Sequence, residues 1–400
     1  YDNRSSIRKI EEVLEDFVLY DILEISKNPK TLGTDWATFV YKNKNYLSFA
    51  SNDYLSLSDD KRIINSAKKS LDKYGFGTSS SPLISGYTKS HFKLEEEISK
   101  FLGQEKTLLF STGYQANMGV IKSLVNRKDN IFADQLNHAS LIDGSILSRA
   151  NFKRYKHSDI KNLENLISNS KSLANNLIIS DSLFSMDGDL ANLKKLKTLS
   201  KKSNSLLLID EAHALGVFGK SGEGLISEHG LNNEDNIFLT GTFGKSLGTY
   251  GAFFSGNSDY VEYVMQKARS YIYSTSIPVN AVEATRKSLK IIEKESWRRE
   301  KLFSLIKYFK KNIKKINYEC LDSDSQIQVI IIGKSIDAIN VSEELLKKGI
   351  YLPAIRPPTV EEGKSRLRVS LTVNHEESDI DYLINILDTI SRNLVQSKND

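Results

Sequence analysis

SLLLIDEAHALG, residues 205–216, decides the architecture: an uninterrupted apolar run from Leu206 to Ile209 stops at Asp210 and passes into a turn that ends at Gly216. A short apolar run without alternation is the pattern of a strand buried on both faces. The same shape recurs outward in both directions, as TLLFST, NIFAD and NLIISD before it and NIFLTG and GAFFSG after it, with helical patterns between them over residues 60–260. Strands alternating with helices predict right-handed βαβ units, hence an α/β fold with a mostly parallel sheet flanked by helices. Further along, QIQVIIIG and SRLRVSLTV flank the helical pattern DAINVSEELLKKG, and DIDYLINILDTISRNLVQ closes the chain, so a smaller α+β domain follows. Before the sheet, Ile7, Ile10, Val13, Leu14 and Phe17 have the spacing of an amphipathic helix, and TFVYKNKNYLSFAS reads as a hairpin. The expected division is an N-terminal helix and hairpin arm over 1–50, a large domain over 51–285 and a smaller domain over 286–400, because 400 residues exceed what one core organises.

Composition narrows the function classes. The net charge of +5 is a slight excess of 55 basic over 50 acidic residues and is not gathered into a basic domain, so nucleic acid is not the expected partner. No apolar run reaches the ~18 residues that cross a bilayer, and YDNRSSIRKIEE lacks a signal-peptide core, so no membrane association is expected. The single cysteine, Cys320, has no partner for a disulfide or a zinc knuckle, which points to the cytoplasm and to no metal site.

In parallel α/β sheets, ligands bind at the carboxyl ends of the strands. The residues there are Thr112, Gly113 and Tyr114; Asp134 with Asn137 and His138; Asp181 and Ser185; Asp210 with His213; and Thr242 with Lys245. Asp210 at the end of a buried strand needs a cationic partner or a cap to satisfy, since an unpaired buried carboxylate is costly. The partner could be a protonated pyridine nitrogen, the feature that makes pyridoxal phosphate (PLP) an electron sink, with His213 in reach of a ring substituent. TGTFGKSLGTYGAFF, residues 240–254, sets Lys245 in a glycine-rich loop between two strands, where desolvation would lower its pKa and free a neutral amine for a Schiff base. STGYQANMG opens a helix behind a strand, a phosphate-binding geometry. Arg366 and Arg368 alternate on one strand face, and arginine is the fork for a carboxylate.

A nucleotide-driven motor is the rival reading, since LLLIDEAH resembles a Walker B strand and GKS the end of a Walker A loop. The Walker A pattern requires a glycine where this chain has Leu239, and its GKS follows the DEAH segment instead of preceding it. The motor reading fails on both counts.

SNDYL, SGYTKSH, STGYQAN, DQLNHASL, FSMDGD, DEAHALGVFG, TGTFGKSLG, YSTSIP and RLRVSLTVNHE occur in order over nearly the whole chain. Together they closely resemble the α-oxoamine synthases, fold-type I PLP-dependent transferases that condense an amino acid with an acyl thioester. AIRPPTVEEGKSRLRVSLT is similar to the branch that joins L-alanine to a pimeloyl thioester, pimeloyl-CoA or pimeloyl-acyl carrier protein, in biotin biosynthesis. Sister members that use glycine or serine, such as 2-amino-3-ketobutyrate CoA ligase and serine palmitoyltransferase, are the alternatives. The resemblance implies PLP as cofactor, Lys245 as the Schiff-base lysine, Asp210 as partner of the pyridinium and His138 stacked on the ring and assisting at the thioester. It also implies His213 and Ser185 at the phenolic oxygen, Gly113, Tyr114 and Thr242 on the phosphate side, Asn52 and Arg368 on the substrate carboxylate, and Arg356 and Thr359 on the acyl chain. A cytoplasmic homodimer with shared active sites is implied too, with Ser274 and Thr275 serving the neighbouring subunit's phosphate. The chain departs from the family at Ser56, in GTSSSPLISG and at Ala214-Leu215, where the family usually carries glycines or Gly-Thr, and it has Glu24 about where an arginine contact to the acyl substrate is expected. Finally, WRREKLFSLIKYFKKNIKKINY carries Arg298, Arg299, Lys301, Lys307, Lys310, Lys311, Lys314 and Lys315, which is either a solvated helix face or a docking surface for an acidic carrier protein.

Overall fold

The computed structural model describes residues 37–41, 44–170, 174–232 and 234–396. The amphipathic pattern over residues 7–23 and Glu24 lie outside the described residues. The chain enters through a hairpin, β1 (Thr38–Tyr41) and β2 (Lys44–Ser48).

Seven strands then build one sheet: β3 (Lys106–Phe110), β4 (Asn130–Asp134), β5 (Asn151–Tyr155), β6 (Asn176–Asp181), β7 (Leu206–Asp210), β8 (Ile237–Thr242) and β9 (Ala252–Gly256), in the order β3-β9-β8-β7-β6-β4-β5. β5, β4, β6, β7 and β8 are parallel, and β9 alone runs against both of its neighbours. The central strands bury Ile131–Ala133, Leu177–Ile179, Leu207–Ile209 and Ile237–Leu239 between two helical layers, which is why each reads as a continuous apolar run. β5 has no such run. Its NFKRY sits at the sheet edge and only Tyr155 is fully buried, so the segment lacks the signal that betrays the others.

The chain continues through two consecutive helices, Val279–Lys294 and Ser296–Ile313. The first packs on the Lys61–Tyr74 helix of the large unit. A second sheet follows, β10 (Glu319–Cys320), β11 (Ile327–Gly333), β13 (Ala354–Ile355) and β14 (Ser365–Ser370), antiparallel and ordered β10-β11-β14-β13, with β12 (Ile350–Tyr351) joining the entry hairpin alongside β2. Helices Ser335–Lys347 and Glu377–Gln396 complete this smaller α+β unit.

The lysine-rich helix is less cationic at its surface than its sequence suggests. Arg298 and Arg299 are buried and donate to the carbonyls of Leu55 and Ile292, Lys301 pairs with Glu376 at 2.6 Å, and Lys310 pairs with Asp322 at 2.9 Å. Much of the charge offered as a docking surface is thus consumed inside the molecule.

Two of the serine-for-glycine departures have a physical cost. Ser56 and Ser79 adopt φ of 51° and 58°, the left-handed region that a Cβ disfavours by ~1–2 kcal/mol. Ser56→Gly and Ser79→Gly are therefore each expected to raise unfolding stability by about 1 kcal/mol, the relief of strain exceeding the entropy that glycine adds to the unfolded chain. Denaturant midpoints at unchanged slope measure it; a lower midpoint in both variants contradicts the strain.

Candidate active site

The carboxyl ends of β4, β6, β7 and β8 converge on Lys245, and β14 approaches from the second sheet. The loop carrying Lys245 is closed by its own backbone: Phe243 N–H donates to Gly251 O at 2.9 Å, Thr249 N–H to Phe243 O at 2.9 Å and Gly248 N–H to Lys245 O at 2.8 Å. Gly248, at φ +62°, lies so close to the 57–58 backbone that a Cβ there would stand 2.4 Å from Ser58 N. Only glycine closes this loop.

Lys245 Nζ is 2.7 Å from His213 Nε2, and His213 Nδ1 is 2.7 Å from the hydroxyl of the fully buried Tyr54. Tyr54 donates to Asn52 Oδ1 at 2.9 Å, which also accepts from Arg368 Nη2 at 3.1 Å. Arg368 donates further to Ser370 Oγ at 2.7 Å and to the carbonyl of Ser185. Burial lowers the Lys245 pKa to about 8, helped by Arg368 and resisted by Asp210 and Asp181. Burial likewise holds His213 well below its ordinary value, with the charges of Lys245 and Arg368 adding to the effect. His213 is therefore a neutral imidazole, able to accept on one nitrogen while donating from the other.

Asp210 occupies the floor. Its Oδ1 accepts from Ala212 N–H at 2.8 Å and its Oδ2 from Asn117 Nδ2 at 2.7 Å, so the capping role and the buried-acid role coexist. Asn117 was not legible as a site residue. It is buried one turn inside the Gly113–Leu124 helix, where it also accepts from Thr240 Oγ1 at 2.7 Å and donates to Ser140 Oγ at 2.9 Å. The only signal was an asparagine on an otherwise apolar helix face. Asp181, on the neighbouring strand, accepts from His138 N–H at 2.7 Å and is pushed well above the usual carboxylate range by burial and by the charge of Asp210.

The other expected residues distribute as follows. Thr112 caps the Gly113–Leu124 helix by accepting from Gln115 N–H, and a Cβ on Gly113 would lie 3.7 Å from Thr242 Cβ, so this helix start and the end of β8 are neighbours. The Tyr114 hydroxyl bonds Asp143. His138 caps the Ala139–Ser148 helix, its Nδ1 2.8 Å from Ser140 Oγ. Arg366 does not share the role open to Arg368: it pairs with Asp187 and donates to Met186 O at 3.2 Å. Arg356 and Thr359 sit in a turn after β13, closed by Thr359 N–H to Arg356 O at 3.0 Å. Ser274 and Thr275 line a separate small cavity with Tyr87, Glu95 and Tyr271. They stand outside the Lys245 cluster, beside Ser111, whose hydroxyl donates to Thr275 O at 3.2 Å.

This donor set fits PLP. Asp210 places a carboxylate on a buried floor beside the neutral His213 and beside Asp181, whose acid form burial favours, and once Lys245 gives up its own charge a protonated ring nitrogen would balance it. Lys245 offers an amine near neutrality for the aldehyde, and the N-terminus of the Gly113–Leu124 helix beside Thr242 offers N–H donors for a phosphate. Among the described residues no cluster suited to a metal ion occurs, and no helix is long and apolar enough to cross a membrane.

Comparison with known proteins agrees with this chemistry. The aminotransferase class I and II family matches residues 44–387. The 8-amino-7-oxononanoate synthase of Saccharophagus degradans is 43% identical over 351 residues, 88% of either chain. The solved 8-amino-7-oxononanoate synthase of Francisella tularensis is 30% identical and superposes with a TM-score of 0.77, over 88% of this chain and 99% of its own. A serine palmitoyltransferase from S. paucimobilis, solved with bound PLP and myriocin, is 26% identical with a TM-score of 0.88, over 94% and 97% of the two chains. The chain belongs to the aminotransferase class I and II family and, within it, to the PLP-dependent α-oxoamine synthases, the fold-type I branch to which the 8-amino-7-oxononanoate synthases belong.

Proposed function

We propose that this chain is a decarboxylating C-acyltransferase that joins the α-carbon of L-alanine to a pimeloyl thioester, releasing carbon dioxide and the thiol carrier. The observation that carries this reading is the Arg368–Asn52 pair, a carboxylate-binding fork that hydrogen bonds connect, through Tyr54 and His213, to Lys245. The 43% identity to a synthase of that name supports the choice of acceptor and donor.

Bound PLP supplies a protonated aromatic ring that delocalises the negative charge developing on the amino-acid α-carbon. Asp210 would hold the proton on the ring nitrogen, and Asn117 and the Ala212 N–H keep its side chain aimed. Arg368 and Asn52 bind the alanine carboxylate. Lys245 Nζ, with its pKa near 8, is basic enough to take the α-proton and is unprotonated often enough at neutral pH to do so. With PLP bound, His213 and Ser185 would orient its phenolic oxygen, His138 would stack on the ring and polarise the thioester carbonyl, and Arg356 and Thr359 would contact the acyl chain. Gly113, Tyr114 and Thr242 hold the phosphate.

The active unit in this proposal is a cytoplasmic homodimer, with Ser274 and Thr275 serving the partner's phosphate. Phe76, Ile84 and Tyr273 support it, being 77%, 80% and 69% exposed around that segment, more apolar surface than a lone subunit usually shows.

Alanine, serine and glycine, each offered with pimeloyl-CoA while thiol release is followed, test the function. Alanine is expected to lead by at least ~10-fold in kcat/KM, the discrimination one methyl group or hydroxyl provides. A preference for glycine with a short acyl-CoA would move the chain to a sister activity.

A further inference from the structure

We infer that the Tyr54 hydroxyl is a positioning group that couples the proton on Lys245 to the carboxylate-binding pair Asn52 and Arg368, by setting the tautomer of His213. This rests on the reading of the site given above. Four side chains from three segments form one hydrogen-bond chain, with links of 2.7 Å from Lys245 to His213, 2.7 Å from His213 to Tyr54 and 2.9 Å from Tyr54 to Asn52, and Arg368 Nη2 donates to both Asn52 Oδ1, at 3.1 Å, and the Tyr54 oxygen, at 3.4 Å. Tyr54 is fully buried at the middle of that chain.

The chain satisfies every member in either direction. With Lys245 protonated, its N–H donates to His213 Nε2, His213 Nδ1–H donates to the Tyr54 oxygen and the Tyr54 O–H donates to Asn52 Oδ1. With Lys245 neutral, the order reverses: Tyr54 O–H donates to His213 Nδ1 and His213 Nε2–H donates to the amine. Asn52 Oδ1 then loses one donor and keeps that of Arg368. A hydroxyl is the one group at position 54 that both donates and accepts, so it lets a neutral His213 exchange tautomers without leaving a buried nitrogen unpaired. Because Asn52 is bonded in one direction and released in the other, whatever strengthens the demand on Asn52 biases the proton state at Lys245. By linkage the converse holds equally.

The charged and titratable groups facing this relay are Lys245, Arg368, His138, Asp210 and Asp181. Gln326, just before β11, holds the His213 backbone, donating from Nε2 to His213 O at 2.8 Å. None of these bonds His213 Nδ1, so Tyr54 has no substitute there.

The test uses the apoprotein, so an error in the substrate assignment leaves it standing. Nitrogen-15 NMR of labelled histidine, with His213 assigned by comparison with His213→Asn, reports which ring nitrogen carries the proton. In the wild type the tautomer is expected to exchange as pH rises from about 7 to about 9 and Lys245 loses its proton. In Tyr54→Phe the exchange should be lost, and apoprotein affinity for PLP should fall by roughly 10-fold, the equivalent of one buried hydrogen bond. Asn52→Leu, which removes the far end of the relay without touching His213, should shift the pH midpoint of the exchange. That variant also decides the matter if Tyr54→Phe fails to fold. Wild-type exchange behaviour in Tyr54→Phe, or an unmoved midpoint in Asn52→Leu, would overturn the coupling.

Discussion

Asp210→Asn is expected to lower kcat by on the order of 10²–10³-fold while leaving a folded, PLP-replete protein, the scale seen when one preorganised electrostatic contact is removed. The amide keeps the shape and one acceptor oxygen, enough for the Ala212 N–H or for Asn117 but not for both. The lost bond costs ~1–3 kcal/mol. Burial is the larger cause that pushes Asp181 above the usual carboxylate range and the charge of Asp210 the lesser one, which the neutral amide removes. The charge is what cannot be replaced: without it the ring nitrogen gives up its proton, and the negative charge on the substrate has nowhere to go. Absorbance gives PLP content, thermal unfolding gives stability and single-turnover rates give the chemistry. Near-normal turnover at full PLP occupancy would remove Asp210 from this role.

Lys245→Ala is expected to abolish turnover, by ~10³-fold or more, because one group serves both as covalent anchor and as the base at the α-carbon. Borohydride reduction of the wild type followed by peptide mapping should find the pyridoxyl label on Lys245, and label on another lysine would contradict the assignment. A pH dependence follows from the same residue. Only the neutral amine attacks an aldehyde, and burial brings the Lys245 pKa down to about 8. PLP capture by the apoprotein should therefore quicken as pH rises through that value and level off above it, falling about tenfold per pH unit below. An unperturbed lysine would still be accelerating at pH ~10.

The physical origin of what could be read in advance is visible in particular residues. β7 was legible because both of its faces are buried, so Leu206 to Ile209 had to be apolar and Asp210 had to mark the end. β5 was not, since an edge strand tolerates Lys153 and Arg154. Lys245, Asp210 and His213 announced themselves by sitting just past strand ends. Asn117 and Tyr54 did not, because their polarity is answered by partners far away in sequence: Asp210 for the first, His213 and Arg368 for the second. Arg366 and Arg368 looked equivalent for the same reason, and only the position of Asp187 separates them. Ser56 and Ser79 stood out as departures, but their left-handed backbone is a property of the folded chain.

The reversed direction of β9 bears on how this scaffold can diverge. A parallel successor to β8 would carry the chain back across the sheet through a helix, and such crossovers absorb insertions readily. Here the return is made by the loop over residues 243–251, closed by its own backbone bonds, with Thr242 paired to Ala252 and Gly241 to Phe253. Adding one residue between them would slip the register and turn Phe253 and Phe254, both fully buried, to the opposite faces. The lysine loop is thus a ruler of fixed length. Diversification of substrates under this architecture has to be written elsewhere, and the turn at residues 356–363, which links the two-residue β13 to β14, can change its lining while the ruler stays the same.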